Sequence, residues 1–155
     1  MKYKLAFFDI DGTLSVPNYC INGEYKTGMT DEEWLSYTMN INAYRFCSAP
    51  KTIRNYIADL TDKGVEIYVI TRESWSPAFK AKCKFIKTSY PEIKQNNIHY
   101  VLRKENKPNL IEMIRLCQEK PTDMSECLYY DDDYEMVLTM NNLGYDAHHI
   151  SEFLY

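Results

Sequence analysis

The chain has 155 residues, 45% of them hydrophobic, and a net charge of −4. That length suits one domain with a full core rather than two, and the composition suits a soluble globular protein. The acidic balance speaks against a general binder of nucleic acid or of a membrane surface.

Five cysteines, Cys20, Cys47, Cys83, Cys117 and Cys127, are an odd count with no Cys-x-x-Cys pair. That argues against a zinc site and against a disulfide framework. Cys83, Cys117 and Cys127 fall within apolar patterns and are expected as reduced core residues. The first apolar run stops at Asp9, too short for a signal peptide or a membrane span, so a cytoplasmic protein is expected.

Tyr3 to Ile10 reads as a buried first strand. It runs into Asp9-Ile10-Asp11-Gly12-Thr13-Leu14, where the glycine marks a sharp turn. Two carboxylates spaced by one apolar residue at the end of a buried strand must be solvated, paired or bound to metal. Residues 11–28 read as irregular structure, broken by Pro17, Asn18, Asn22, Gly23 and Gly28. Thr30 and Glu33 form a capping-box pattern, and Trp34, Tyr37, Ile41 and Tyr44 recur at helical spacing behind it.

Pro50 opens a second helix, with Ile53, Tyr56, Ile57 and Leu60 inward and Gly64 as its stop. Val65 to Ile70 is a second strand ending at Thr71-Arg72. Ser76-Pro77 starts a helix to about Ser89, with Phe79, Cys83 and Ile86 inward, and Pro91 prevents its continuation. Residues 80–107 are rich in basic side chains, and Lys80, Lys82, Lys84 and Lys87 read as the solvated face of that helix.

Ile98 to Leu102 is a third strand. A loop with Lys104 and Lys107 follows, and Pro108 begins a helix whose inward residues are expected to be Leu110, Met113, Ile114 and Cys117. Glu126 to Tyr130 is a fourth strand running into Asp131-Asp132-Asp133. A helix through Met136, Met140 and Leu143 ends at Gly144, and Asp146 to Ile150 closes the domain as a last strand.

Strands alternating with helices indicate an α/β fold, a three-layer Rossmann-like sandwich around a parallel sheet. Right-handed crossovers point every strand the same way. Asp9, Asp11, Thr71, Lys107, Asp131 and Asp132 then gather at one sheet edge, where open α/β sheets bind ligands.

This ordered set resembles the haloacid dehalogenase-like (HAD) hydrolase superfamily, most of whose members are magnesium-dependent phosphatases. Asp9 to Leu14 resembles its first motif, Val69-Ile70-Thr71 the second, Lys107 the third and Tyr130-Asp131-Asp132 the fourth. The resemblance implies a Mg²⁺-dependent phosphatase that hydrolyses a phosphate monoester through an aspartyl-phosphate. Asp9 would be the nucleophile and Asp11 the general acid and base. Gly12, Thr13, Thr71, Arg72 and Lys107 would meet the phosphate or substrate. Asp9, the backbone carbonyl of Asp11, Asp131 and Asp132 would hold the ion.

Lys104 and Arg103 compete with Lys107 for the lysine role, and Lys107 is favoured because it directly precedes Pro108. The aspartate triplet permits two registers: Asp131 alone with Glu135 behind it, or Asp131 and Asp132 together with Asp133 as a helix cap. The second is favoured. His99, His148 and His149 are not expected to be catalytic.

Residues 18–49 have room for a small cap-like insertion within a single domain spanning 1–155. An open cleft suits a phosphorylated macromolecule, or a phosphorylated small molecule if another subunit covers it. Thr71-Arg72-Glu73-Ser74, the lysine-rich helix, Lys107 and Asp131-Asp132 are also similar, less closely, to the 3'-phosphatase domain of polynucleotide kinases. The acidic net charge counts against nucleic acid.

Two other classes compete. A response-regulator receiver also clusters aspartates with a threonine and a lysine. There, however, those two follow a lone phosphoacceptor aspartate, whereas here they precede the second acidic cluster. A non-catalytic HAD-like phosphate- or metal-binding protein would have lost one of the roles, yet each has a candidate.

Overall fold

The computed structural model describes residues 2–17, 20–21, 24–25, 30, 32–33, 36, 44 and 47–154. In chain order the strands and helices are β1 (Leu5–Phe8), β2 (Val16–Pro17), β3 (Cys20–Ile21), β4 (Glu24–Tyr25), β5 (Cys47–Ser48) and α1 (Lys51–Asp62). There follow β6 (Glu66–Arg72), α2 (Ser76–Ser89), β7 (Ile98–Val101), α3 (Lys107–Leu116), β8 (Cys127–Asp131), α4 (Tyr134–Leu143) and β9 (Asp146–His149).

Five strands form a parallel sheet in the order β7-β6-β1-β8-β9. β1 is central: Phe8 is paired in register with Val69 on one side and Tyr130 on the other. This is why its apolar residues run without alternation, since both faces are covered. Ala6 and Phe8 face a core with Ile53, Ile57 and Leu60 of α1 and Ile86 of α2. Leu5 and Phe7 face the opposite core, with Ile111 of α3 and Met136, Val137 and Met140 of α4. Burying a Phe or Ile fully is worth about 1.5–3 kcal/mol relative to exposure, so β1 anchors both layers. The three-layer α/β/α sandwich expected from the sequence is the fold observed.

Several local expectations change. The stretch after Asp11 is not irregular throughout. β2 pairs antiparallel with β5, and β3 with β4. Thr30 and Glu33 do form a reciprocal cap, each backbone N–H donating to the other's side chain. Most of the aromatic helix expected behind it, including Trp34, Tyr37 and Ile41, lies outside the described residues, as does most of the 18–49 insertion.

The inward face of α3 is shifted in part: Leu110 and Ile114 pack against the core as expected, half-buried. Lys107, Ile111 and Arg115 are buried, whereas Met113 is exposed. Cys117, expected in the core, is exposed. In α2 the buried residues are Ala78, Lys82 and Ile86, with Cys83 only half-buried. Leu143 of α4 is exposed. No helix among the described residues is long and apolar enough to cross a membrane.

Candidate active site

The site starts where β1 stops. The Asp9 N–H donates to the Tyr130 carbonyl at 3.0 Å, so the carboxylate leaves the sheet still tied to β8. The chain then folds back tightly: Gly12 N–H donates to Ser15 O, and the N–H groups of Thr13 and Ser15 both donate to Ile10 O. Gly12 adopts φ +80°, a conformation that L-residues with a Cβ rarely take. A Cβ at this position would also overlap the carboxylate of Asp132. Thr13 and Ser15 are fully enclosed in the turn.

Lys107 reaches into the site from the first turn of α3. Its Nζ donates to Asp9 Oδ1 and to Asp131 Oδ2, each at 2.8 Å. All three side chains are almost wholly buried. Asp131 is held further by the Tyr129 hydroxyl on Oδ2 and by the Asp133 N–H on Oδ1. Burial pushes the Asp9 carboxyl up to about 7, against the opposite pull of Lys107. Burial works to lower the Lys107 ammonium, but Asp9 and Asp131 outweigh it and hold it above its ordinary value. Burial, then the neighbouring Asp131, lifts the Asp132 carboxyl to about 6. One ammonium thus faces three carboxyl groups.

Asp9, Asp131 and Asp132 each offer an oxygen, and these oxygens lie within 4.8 Å of one another. Hard carboxylate oxygens with an excess of negative charge suit a hard divalent cation. The raised values at Asp9 and Asp132 are the electrostatic counterpart of that fit, since a cation between them would relieve what burial and mutual repulsion impose.

A second buried ammonium stands on the other side of Asp11. Lys82 Nζ, from the middle of α2, lies 2.7 Å from Asp11 Oδ2 and 3.3 Å from Glu73 Oε2. It also donates to Thr71 Oγ1 at 3.0 Å and to the Arg72 carbonyl at 2.8 Å. The Tyr44 hydroxyl donates to Asp11 Oδ1 at 2.5 Å. Burial, reinforced by Asp11, holds that phenol far above its ordinary range.

These groups line one open cleft of about 340 Å³, whose walls include Asp9, Asp11, Thr71, Lys82, Lys107 and Asp131. Arg72 and Lys104 stand at its rim, and both also border an adjoining recess of about 300 Å³ with Arg103.

The structure therefore brings Asp9, Asp11, Thr71, Arg72, Lys107, Asp131 and Asp132 to one cleft. It separates the two lysine candidates: Lys107 is inside, while Lys104 is exposed and pairs with Asp133. Asp133 caps α4, accepting from the N–H groups of Glu135 and Met136. Gly12 and Thr13 stand elsewhere. Their N–H groups are occupied within the turn, and both border a separate apolar cavity with Pro50, Ile53 and Phe153. They shape the turn instead of lining the cleft.

His148 and His149 do have partners. His148 lies against Asp146 and Glu152, and His149 meets the Asp132 carbonyl and Ser151. Sequence reasoning missed Lys82, Tyr44 and Tyr129. For Lys82 a signal existed: it lies four residues from Ala78 and four from Ile86, on the face those residues bury.

No protein-family model matches the chain, and no curated protein matches it by sequence. Solved structures do. A HAD family enzyme from Bacteroides thetaiotaomicron, an aspartate-to-alanine mutant in complex with magnesium and inorganic phosphate, aligns with TM-score 0.56 at 14% identity over 94% of this chain and 93% of its own. The N-terminal part of a Bacteroides fragilis protein, containing a phosphatase domain complexed with Mg, aligns with TM-score 0.56 at 15% identity over 99% of this chain and 40% of its own. D,D-heptose 1,7-bisphosphate phosphatase from Burkholderia thailandensis aligns with TM-score 0.55 at 15% identity over 92% and 74%.

Three other matched structures are longer proteins, of which this chain spans 57%, 62% and 22%. The class defined by the fold is the α/β/α sandwich with a parallel five-stranded sheet. More narrowly, it is the fold shared with the HAD family enzyme from Bacteroides thetaiotaomicron.

Proposed function

We propose that this chain is a Mg²⁺-dependent phosphatase that hydrolyses a phosphate monoester through an aspartyl-phosphate on Asp9. One observation carries the reading: Asp9 and Asp131 share the buried Lys107, and Asp132 brings a third carboxylate oxygen within 4.8 Å of theirs, at the carboxyl edge of the central strands. The fold shared with a HAD family enzyme complexed with magnesium and inorganic phosphate supports it.

Among the described residues, the side-chain hydrogen bonds of Asp9 come from Lys107 to Oδ1. Oδ2 is left to attack phosphorus. The attacking oxygen forms a bond to phosphorus as the ester P–O bond breaks, and a proton from Asp11 goes to the leaving alkoxide. Asp11 then takes a proton from the water that attacks the aspartyl-phosphate, releasing inorganic phosphate and freeing Asp9. Lys107 balances charge on Asp9 and on the phosphoryl group throughout. Thr71 donates its hydroxyl hydrogen to a phosphoryl oxygen.

Asp9, Asp132 and Asp131, with the Asp11 carbonyl, would hold Mg²⁺, which supplies charge neutralisation between the nucleophile and the incoming phosphate. Asp131, already bonded to Lys107, Tyr129 and Asp133 N–H, anchors this group, and Asp132 is its adjustable member.

The test is hydrolysis of p-nitrophenyl phosphate by wild type and Asp9→Asn, each with Mg²⁺ and with chelator. Turnover requiring both Asp9 and Mg²⁺ is expected; activity surviving in Asp9→Asn overturns the mechanism. The open cleft and its rim cations Arg72, Arg103 and Lys104 favour a second reading for the substrate, a phosphorylated macromolecule such as a 3'-phosphorylated oligonucleotide. A panel of sugar phosphates and 3'-phosphorylated oligonucleotides separates the two.

A further inference from the structure

Lys82 has no part in the mechanism above, yet it is buried as deeply as Lys107 and nearly as deeply as Asp131 in the same cleft. Its side chain is 4% exposed, comparable to the 6% of Lys107. An ammonium is retained at such a depth only when its charge and donors are met. Lys82 is met by four acceptors from two strand ends: Asp11 after β1, and Thr71, Arg72 and Glu73 at the end of β6. α1 separates these strand ends in sequence, and α2 delivers the lysine between them.

We propose that Lys82 is a positioning residue that aligns the proton donor Asp11 and the phosphate-binding hydroxyl of Thr71 as one unit. The inference rests on the phosphatase reading given above.

Two features of the geometry carry it. Asp11 is gripped on both oxygens, with Oδ2 against Lys82 and Oδ1 under the Tyr44 hydroxyl. A carboxylate fixed at both ends has one orientation to present to a leaving group. Thr71 is gripped in a complementary way. Its Oγ1 accepts from Lys82 at 3.0 Å, while its contact to the Arg72 carbonyl is long, at 3.4 Å. Because the lysine fills an acceptor position of the hydroxyl, the hydroxyl's own hydrogen is directed away from the ammonium and is available to the cleft. One side chain therefore sets the donor for the leaving group and the donor for the phosphoryl oxygen at a fixed separation. Errors of about 1 Å in such a constellation can cost about 10²-fold in rate.

Lys82 touches none of the carboxylates that would hold the ion and meets Asp11 at its side chain rather than at its backbone carbonyl, so its loss should leave metal binding in place. It should instead damage transfer to leaving groups that need a proton. The discriminating comparison is kcat/KM for glycerol 2-phosphate, whose alkoxide must be protonated, against p-nitrophenyl phosphate, whose phenolate leaves readily without one. In Lys82→Met, kcat/KM for the alkyl ester should fall at least ~10-fold more than for the aryl ester, within the ~10²–10⁴-fold range of general acid catalysis.

Lys82→Arg, which keeps the charge and several donors, should recover part of the alkyl activity. Tyr44→Phe, which loosens the opposite oxygen of Asp11, should show the same selective loss. A Mg²⁺-induced rise in melting temperature equal to wild type establishes that the variants are folded.

Equal losses on both esters in Lys82→Met and Tyr44→Phe, or no loss in either variant, overturn the positioning role and leave the phosphatase reading standing. Wild type that hydrolyses neither ester with Mg²⁺ overturns that reading, and the positioning role with it.

Discussion

Asp132 lays its carboxylate over Gly12, so that the space a Cβ would take is already filled by one of the proposed metal ligands. The glycine is therefore required twice: by its φ of +80° and by the close approach of an acidic side chain from a strand end far along the chain. Gly12→Ala must strain the turn and displace Asp132 together. The expected cost is about 1–3 kcal/mol of stability, from the unfavourable backbone conformation, accompanied by weaker Mg²⁺ binding. Chemical denaturation and Mg²⁺ titration of the variant check both. A substitution that lowered stability alone would place Asp132 outside the metal site.

The two lysines near the carboxyl end of β7 should behave oppositely. Lys107→Ala removes the ammonium that bridges Asp9 and Asp131, and kcat/KM for an aryl phosphate should fall by about 10²–10³-fold, as for loss of a transition-state charge stabiliser. Lys104→Ala breaks only an exposed pair with Asp133. Such a solvent-screened surface pair contributes little, and the activity should stay within a few-fold of wild type.

Metal affinity should depend steeply on pH. Burial lifts Asp9 to about 7 and Asp132 to about 6 in the metal-free protein. A protonated carboxyl does not ligate, so protons compete with the ion. Mg²⁺ affinity should climb from pH 5.5 to 7.5, by about tenfold or more, and level off above. The linked effect on stability has the opposite sign without metal. Both groups bind protons more tightly when folded than unfolded, so their contribution is full below about pH 4 and is lost as pH rises through about 6–7. Calorimetric Mg²⁺ titrations and melting curves across this range test the two statements separately.

Asp133 acts as a helix cap and should affect stability more than chemistry. Its side chain accepts from Glu135 and Met136 at the start of α4. Asp133→Ala should cost about 1 kcal/mol, while Asp133→Asn or Asp133→Ser should recover most of it. A loss of Mg²⁺ binding in all three variants would instead make Asp133 a ligand.

The parts of this fold that were readable in advance are those where apolar residues follow one period. β1 is a continuous apolar run because both its faces are covered, and the abrupt change to Asp9, Asp11 and Gly12 marks where it meets the site. α3 was half misread for the converse reason: Leu110 and Ile114 were placed correctly, Met113 and Cys117 were not. Its buried stripe is Lys107, Ile111 and Arg115, spaced by four, and two of the three are cations. A rule that sends charge to solvent rotates such a helix the wrong way.

Arg115 is tolerated inside because Glu112 and the Thr122 carbonyl take its donors. Lys82 is tolerated because Asp11, Glu73 and Thr71 do the same. Glu112 lies one turn before Arg115 on the same helix, a local signal that went unread, whereas the partners of Lys82 all lie outside α2, so no window on that helix contains them. Tyr129 was invisible similarly: on β8 it reads as core, and only the fold brings its hydroxyl to Asp131.

The contact between Lys107 and Asp9 joins residues 98 positions apart, and Lys107 bridges a further 24 to Asp131. No contiguous half of the chain contains a working cluster. Contacts of such sequence separation slow the search for the native state, because the intervening chain must first be closed into a loop. A refolding chain therefore acquires its cation-binding oxygens only when β1 and β8 have docked side by side. The appearance of tight Mg²⁺ binding would then time the docking of β1 against β8, and a protein nicked between them could ligate the ion only if its two pieces reassociate.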